Sequence, residues 1–452
     1  MLGTGLDIML AGQKAWWQAP ARAATEEGTG ISRLPASIAS FRLGRYAVTN
    51  REAASIAAAS ADALTQMQAV GFSGLFSFTR ASNASFIDAG GNLQIAASDV
   101  PRFDHTNGKR QLLLEGASAN AVLASEMTGF TAGRRYHDGI GNVGVLPTGM
   151  SVNFGGANTG YVDLISVITD SRGRKRLRLE FNIANATGST QFPRFRFAEV
   201  AGVAGELWSA SVFVAVISSS HTVSMLTEAQ TPTGSMQSAN LVTGDNTIML
   251  NGGVFPSGGQ TMVRSQFGVS LPTGQTWTAV IDVACPQLEK SPRCTSYIPT
   301  TGTAATRAAD NCQFGPKALA LIGRTAVGIV LKGEAIWGPS GNFVGCASSR
   351  IVGLNTAQTQ ISLGNASAIQ VGSAVTAPLP AFGTAVGWDG AGKAGSYNGA
   401  AIATSATPHD ATFTSAFLGR GSGFANGWYD EFVLYPFRPS GASLVAKAVA
   451  FV

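Results

Sequence analysis

Gln287-Leu288-Glu289, then Thr295-Ser296-Tyr297-Ile298-Pro299-Thr300, then Thr306-Arg307-Ala308-Ala309-Asp310 is the stretch from which the rest of the chain is read. Residues 282–288 form a β-favouring run, and residues 295–298 form a second. Pro286, Pro292 and Pro299 fix the backbone and exclude a helix. Residues 300–309 are small and polar and include Gly302, which suits an exposed connector. The stretch therefore reads as the last strand of one β-domain running into a rigid joint.

Upstream of this joint, residues 117–300 carry short strand-like runs separated by turns: 161–169, 174–183, 194–200, 207–217, 222–226, 266–269 and 276–283. Strands at this spacing with no helix between them predict an antiparallel sandwich or jelly roll. Downstream, residues 301–315 read as a linker and residues 316–452 as a second β-domain, with strands at 326–331, 384–388, 395–397, 400–403 and 416–419. Asn398-Gly399 marks a type I′ hairpin between two of them.

The chain before residue 117 divides in two. Residues 71–116 read as a β leader, with Phe72, Leu75, Phe76 and Phe78 on a strand that has the alternative of joining the second domain. Turns are expected at residues 88–92 and around Asn107-Gly108. Residues 1–70 read as a docking or oligomerisation arm: Trp16 and Trp17 would be costly to leave in water, and the alanine-rich run from Asn50 to Val70 predicts a helix capped by Asn50 and stopped by Gly71. The fold class is thus mainly β, two antiparallel β-sandwich (jelly-roll) domains preceded by a partly helical arm.

Charged residues are only 13% of the 452, and 55 glycines accompany them; this suits strands joined by small-residue turns and argues against disorder. A net charge of +5 over this length gives no electrostatic warrant for nucleic acid. Residues 1–17 lack a basic n-region, with Asp7 and Gln13 interrupting the apolar run, so no signal peptide is expected. No run reaches the ~18–20 apolar residues of a membrane helix, so no membrane insertion is expected. Cys285, Cys294, Cys312 and Cys346 fit no zinc spacing; Cys285 and Cys294 flank the joint and could meet, although buried thiols are the simpler reading.

The joint wording resembles a recurrent module junction in bacteriophage tail and virion proteins, where it closes a carbohydrate-binding-type jelly roll. Phe78-Thr79-Arg80-Ala81-Ser82, Val100-Pro101-Arg102-Phe103-Asp104 and Leu112-Leu113-Leu114-Glu115-Gly116 are similar to a leader in the same proteins. Residues 207–214 resemble an early strand of such modules. Trp388-Asp389-Gly390, Tyr397-Asn398-Gly399, Leu418-Gly419-Arg420 and Gly427-Trp428-Tyr429-Asp430-Glu431-Phe432-Val433-Leu434-Tyr435 resemble the second half of a laminin-G-like, concanavalin A-like sandwich. The resemblance implies a tail fibre, spike or head fibre located on the virion and made in the host cytoplasm. It implies a homo-oligomer, with a trimer as one form, held to other virion proteins through the arm and binding host surface polysaccharide or lipopolysaccharide. Rival expectations are a capsid or tail decoration protein, a host-encoded or gene-transfer-particle surface protein, and a polysaccharide depolymerase.

Arg174, Arg176 and Arg178 alternate with Lys175, Leu177 and Leu179, and Arg194 and Arg196 alternate with Phe195 and Phe197. If these two strands pair, five arginines share one face, and guanidinium forks match anionic glycan or phosphate oxygens. The alternative is a solvated face or a virion contact. Trp337, Trp388 and Trp428 are candidates for stacking on sugar rings or for core. Asp430 and Glu431 are adjacent and point to opposite faces of a strand, while Glu334, Asp389 and Asp410 are isolated, so the usual glycosidase pair is missing unless distant strands converge. Asp88, Asp104 and His105 lie in turns. With four scattered histidines, no nucleophile elbow and no phosphate loop, the expectation is a non-enzyme without a cofactor; metal binding is left open.

Overall fold

A computed structural model describes residues 34–157, 159–229, 235–346, 350–364, 368–409 and 414–449. Trp16, Trp17, Asp410 and the first 33 residues of the expected arm lie outside the described residues. The chain is mainly β, built from several antiparallel sheets. It divides into two compact units that alternate along the sequence: one from Met1–Ala81, Ser98–Gly116 and Ala309–Val452, the other from Ser82–Ala97 and Ala117–Ala308. This partition differs from the expected order of arm, leader, sandwich, linker and sandwich. None of the helices among the described residues is long and apolar enough to cross a membrane, which leaves crossing by strands unaddressed.

In the first unit the expected helix over Asn50 to Val70 is replaced by two four-residue helices, Ala53–Ile56 and Ala61–Leu64, and a strand, Met67–Val70. Glu52 and Ser60, not Asn50, are the N-caps, and Ser60 Oγ accepts from the Ala63 N–H at 3.3 Å. The physical reason is anchoring: Ile56 and Leu64 are each fully buried, and Met67–Val70 gains a ladder against Arg45–Thr49. Tertiary burial outweighs the alanine preference for helix. Residues 34–70 thus belong to a ten-stranded sheet in which Ser37–Ser40 pairs with Asn426–Tyr435.

Strand Phe76–Thr79 pairs with Asn311–Phe314 in a seven-stranded sheet, the second of the two places open to it. The two sheets share one core, with Phe343 5.3 Å from Phe382 and Phe314 4.8 Å from Phe432 between ring centroids. Asn398 and Gly399 both have positive φ, 48° and 72°, which is the type I′ geometry.

The second unit is a sandwich. Its six-stranded sheet runs in the order Gly133–Tyr136, Thr159–Thr169, Lys175–Ala184, Thr276–Glu289, Leu207–Ser219, Gly244–Val254. Its five-stranded sheet runs Ser151–Asn153, Arg194–Ala201, Met262–Gly268, Ser224–Ala229, Ser235–Asn240. Alternation sends Leu177, Leu179, Phe181 and Ile183 of one sheet and Phe195, Phe197 and Phe267 of the other into the core. Phe181 lies 5.8 Å from Phe267, and Trp277 stacks on Phe181 at 4.4 Å. Each such ring contributes roughly 1.5–3 kcal/mol by leaving water.

The joint is built by side chains. Thr276–Glu289 runs unbroken through Pro286, but residues 295–298 form no strand. Instead the Gln287 side-chain oxygen accepts the Ile298 N–H at 2.6 Å, and buried Glu289 accepts the Thr295 N–H at 2.8 Å. Tyr297 Oη bonds Ser125 at 2.7 Å and Glu126 at 2.6 Å, and Arg307 donates to Ser296 Oγ at 2.9 Å. All four cysteines are unpaired thiols; Cys285 and Cys312 are buried.

The leader and the end of the joint meet inside the first unit. Arg80 Nη1 donates to Asp310 at 3.0 Å, Arg102 donates to Glu115 at 2.8 Å and closely to Asp310, and Asp310 also accepts the Glu115 N–H at 2.8 Å. The side chains of Arg80, Arg102 and Asp310 are 0% exposed, so each charge depends on its partner.

Candidate functional site

A candidate site lies on the outward face of the six-stranded sheet. Because Leu179, Phe181 and Ile183 point inward, Glu180 and Asn182 point out. Register then sets two rows across neighbouring strands. The first is Tyr136, Tyr161, Asn182 and Thr278, extended by Ser220, whose N–H donates to Thr278 O at 2.9 Å. The second is Arg134, Asp163, Glu180, Val280 and Ser218. Between them opens a trough of about 440 Å³ lined by Tyr161, Glu180, Asn182, Ser218, Ser220 and Thr278, among others.

One end of the trough is aromatic. Tyr161 sits 6.4 Å from Tyr136 in an edge contact, and the Arg134 guanidinium lies 3.5 Å from the Tyr161 ring centroid. Arg134 is itself forked onto Asp163 through Nε at 2.7 Å and Nη2 at 2.6 Å, and this bond raises its pKa above the ordinary arginine value. Asn182 Nδ2 donates to Tyr161 Oη at 3.5 Å. The other end is a hydroxyl shelf: Ser220 Oγ accepts the Thr278 N–H at 3.0 Å and meets His221 Nδ1 at 2.9 Å, while His221 Nε2 meets Gln275 at 2.7 Å. Rings beside converging hydroxyl, amide and carboxylate groups suit a polyhydroxylated ligand, whose C–H face covers the ring while its hydroxyls bond the polar groups.

The five arginines do not form one face. Lys175–Ala184 and Arg194–Ala201 lie in opposite sheets of the sandwich, so the expected pairing is incorrect. Lys175–Ala184 is instead flanked by Thr159–Thr169 and Thr276–Glu289, whose longer ladders satisfy both its edges. Each arginine is also engaged within the fold. Arg174 is buried, bonded to Asp170 at 2.8 Å, with its guanidinium 4.4 Å from the Phe213 ring centroid. Arg176 bridges Asp170 at 2.7 Å and Asp245 at 3.2 Å, and Arg178 grips Asp282 with two bonds of 2.8 and 2.9 Å. Arg194 donates to the Val269 and Pro193 carbonyls, and Arg196 pairs with Glu199 at 2.6 Å. Burial pushes the Asp170 carboxyl up, but the Arg174 N–H and the Arg176 and Arg174 guanidiniums outweigh it and hold it at about 2.

Trp337 and Trp428 lie on adjacent paired strands, with Trp337 opposite Asn426. Trp388 is buried in the first unit's core beside His409 at 4.6 Å, whereas Trp337 and Trp428 are half-buried. Trp428 Nε1 donates to Asp104 Oδ1 at 2.8 Å. Two carboxylates from distant strands do converge: Lys109 Nζ lies 3.4 Å from both Glu334 and Asp430. Burial raises the Asp430 pKa, Lys109 lowers it and Glu334 raises it again. Asp430 is only 2% exposed and also accepts from Gln111 at 3.2 Å, so the cluster reads as an internal charge clamp. Among the described residues no group of three or more His, Cys, Asp or Glu side chains is placed to hold a metal ion.

Reading the residues in sequence missed the trough because its members come from four strands and each is unremarkable alone. The alternation of Glu180 and Asn182 with Leu179, Phe181 and Ile183 was the one available signal.

No family model and no curated protein sequence matches the chain. Among solved structures it is similar to a Trypanosoma rangeli sialidase in complex with 2,3-difluorosialic acid, at 10% identity and a TM-score of 0.24, over 64% of this chain and 68% of that one. It is similar also to a Trypanosoma rangeli sialidase at 8% identity and a TM-score of 0.24, over 82% of this chain and 98% of that one. At these values the likeness carries no argument about fold or function.

Proposed function

We propose that this chain is a virion structural protein of the bacteriophage tail-fibre, spike or head-fibre kind that acts as a host-surface glycan adhesin. The observation that carries the reading is the trough on the six-stranded sheet, where Tyr161 stands beside Asn182, Thr278, Ser218 and Ser220. This replaces the arginine face as the proposed contact for polysaccharide or lipopolysaccharide. The phrases that resemble phage leader and junction sequences supply the partners Arg80, Arg102, Glu115 and Asp310 of one buried network, which supports reading them as a module boundary. The Asn426–Tyr435 strand, paired on both edges, is consistent with a concanavalin A-like second module.

The activity is adhesion and not turnover, with no cofactor. An open trough of this size gives weak binding per site, and several copies on one particle, as a homo-oligomer held to other virion proteins, convert weak sites into avidity. The test is binding of the purified protein to a glycan array, to intact bacterial cells and to cells stripped of surface polysaccharide. Binding lost on stripping, and lost on the array in Tyr161→Ala and Asn182→Ala variants that keep the wild-type melting temperature, supports the adhesin. Equal binding to stripped cells, or unaltered binding by both variants, overturns it. Absence of all glycan binding would turn the sandwich over to virion assembly, and sugar release would make it a depolymerase.

A further inference from the structure

Charge in and around the trough narrows its ligand. Glu180 is the only charged side chain lining it among the described residues, and it stands exposed between Asp163 and Val280. The cations nearby are already committed to other carboxylates. Arg134 is forked onto Asp163, and Arg178 is forked onto Asp282, whose bond is the main cause of the raised Arg178 pKa, with a smaller push from Glu180. His221 is held between Ser220 and Gln275. An acidic sugar seated here would face the Glu180 carboxylate, and among the described residues no guanidinium or ammonium group lines the trough to receive it.

We infer that the trough binds a neutral, hydroxyl-rich polysaccharide and discriminates against chains bearing uronate, sialate or phosphate groups. The inference rests on the adhesin reading and specifies its ligand. Glu180 does two jobs in it. Its two oxygens accept hydroxyl donors from one sugar, as charge-assisted bonds stronger than those of a neutral acceptor. The same charge repels an acidic substituent, so specificity comes from a repulsive element as much as from an attractive one. This reverses what the arginine-rich first half of Glu180's own strand suggests, because those arginines are satisfied within the fold.

The experiment compares the full chain and Glu180→Gln on matched pairs of glycans, each pair sharing a backbone and differing in one acidic substituent, at pH 7.5 and two salt concentrations. The neutral member is expected to bind at least about tenfold more tightly, which is 1.4 kcal/mol. Glu180→Gln is expected to narrow that ratio to below about threefold by strengthening the acidic member, with 0.5 M salt narrowing the wild-type ratio in the same direction. Equal or tighter binding of the acidic member by the wild type, or a ratio unchanged in Glu180→Gln, overturns the inference while leaving glycan binding in place. Binding of neither member overturns the adhesin reading and the inference together.

Discussion

Replacing Asp310 by Asn should destabilise the first unit more than any single surface change in the chain. Asp310 receives Arg80 at 3.0 Å, Arg102, and the Glu115 N–H at 2.8 Å, and the side chains of all three charged partners Arg80, Arg102 and Asp310 are 0% exposed. Asparagine keeps the shape but removes the charge that two buried guanidiniums share; Arg102 then retains Glu115, whose side chain is 7% exposed. Removing one partner of a buried ion pair costs about 3–5 kcal/mol, because an uncompensated charge remains. With an m-value of about 2–3 kcal/mol/M in urea, the unfolding midpoint of this unit falls by about 1–2.5 M. The two units have separate tryptophans: Trp337, Trp388 and Trp428 in the first and Trp208 and Trp277 in the second, with Trp16 and Trp17 outside the described residues. Urea titrations in a Trp208→Phe/Trp277→Phe background therefore report the first unit by fluorescence, and a background with the five other tryptophans replaced by Phe reports the second. A midpoint for the first unit within 0.3 M of the parent, or an equal fall in both units, would refute the reasoning.

Acid should weaken the second unit through Asp170. Its folded pKa, at about 2, lies below the unfolded value near 4, so its contribution is complete above about pH 4 and is lost as pH falls toward 2. After screening this amounts to about 1 kcal/mol, and Asp170→Asn should flatten the slope of stability against pH over that window in urea titrations. Lys109→Met leaves Glu334 and Asp430 facing one another; it should raise the Asp430 pKa further and cost about 1–3 kcal/mol at pH 7, and less as pH falls and Asp430 takes up a proton. A cost that grows as pH falls would contradict this. Thiol labelling with an aromatic disulfide at pH 8 should be slow in the native protein. Cys346, half-buried and pushed up by desolvation to about 11, should react first, and Cys346→Ser should remove that phase. Cys312, fully buried, should label only on unfolding.

The β character was legible because it is written in local alternation. Lys175–Ala184 needed only the leucines and Phe181 at every second place, and Asn398-Gly399 needed only its turn chemistry. Sheet membership was not legible. Lys175–Ala184 and Arg194–Ala201 are consecutive strands with matching alternation and a turn-like segment between them, yet they cross from one sheet to the other. The choice depends on whether Thr276–Glu289, about 100 residues away, pairs more favourably, and adjacency in sequence holds no record of that. The alanine-rich run failed for the opposite reason: its local signal was strong, but two isolated anchors, Ile56 and Leu64, and an available strand edge cut it into short pieces. The arginine site failed at a third level, since alternation places side chains but is silent on the carboxylates from other strands that neutralise them.

The alternation of the two units along the chain sets an order of events during synthesis. Ser37–Ser40 emerges early, but its partner Glu431–Leu434 is made close to 400 residues later. At about 5–20 residues per second the early strands wait roughly 20–80 s with open edges. By then all of Ala117–Ala308 has been released and has had time to close its own core. The nascent chain thus carries one finished sandwich and a set of orphan strands, and whatever shields those edges in the cell governs how much of the protein is recovered.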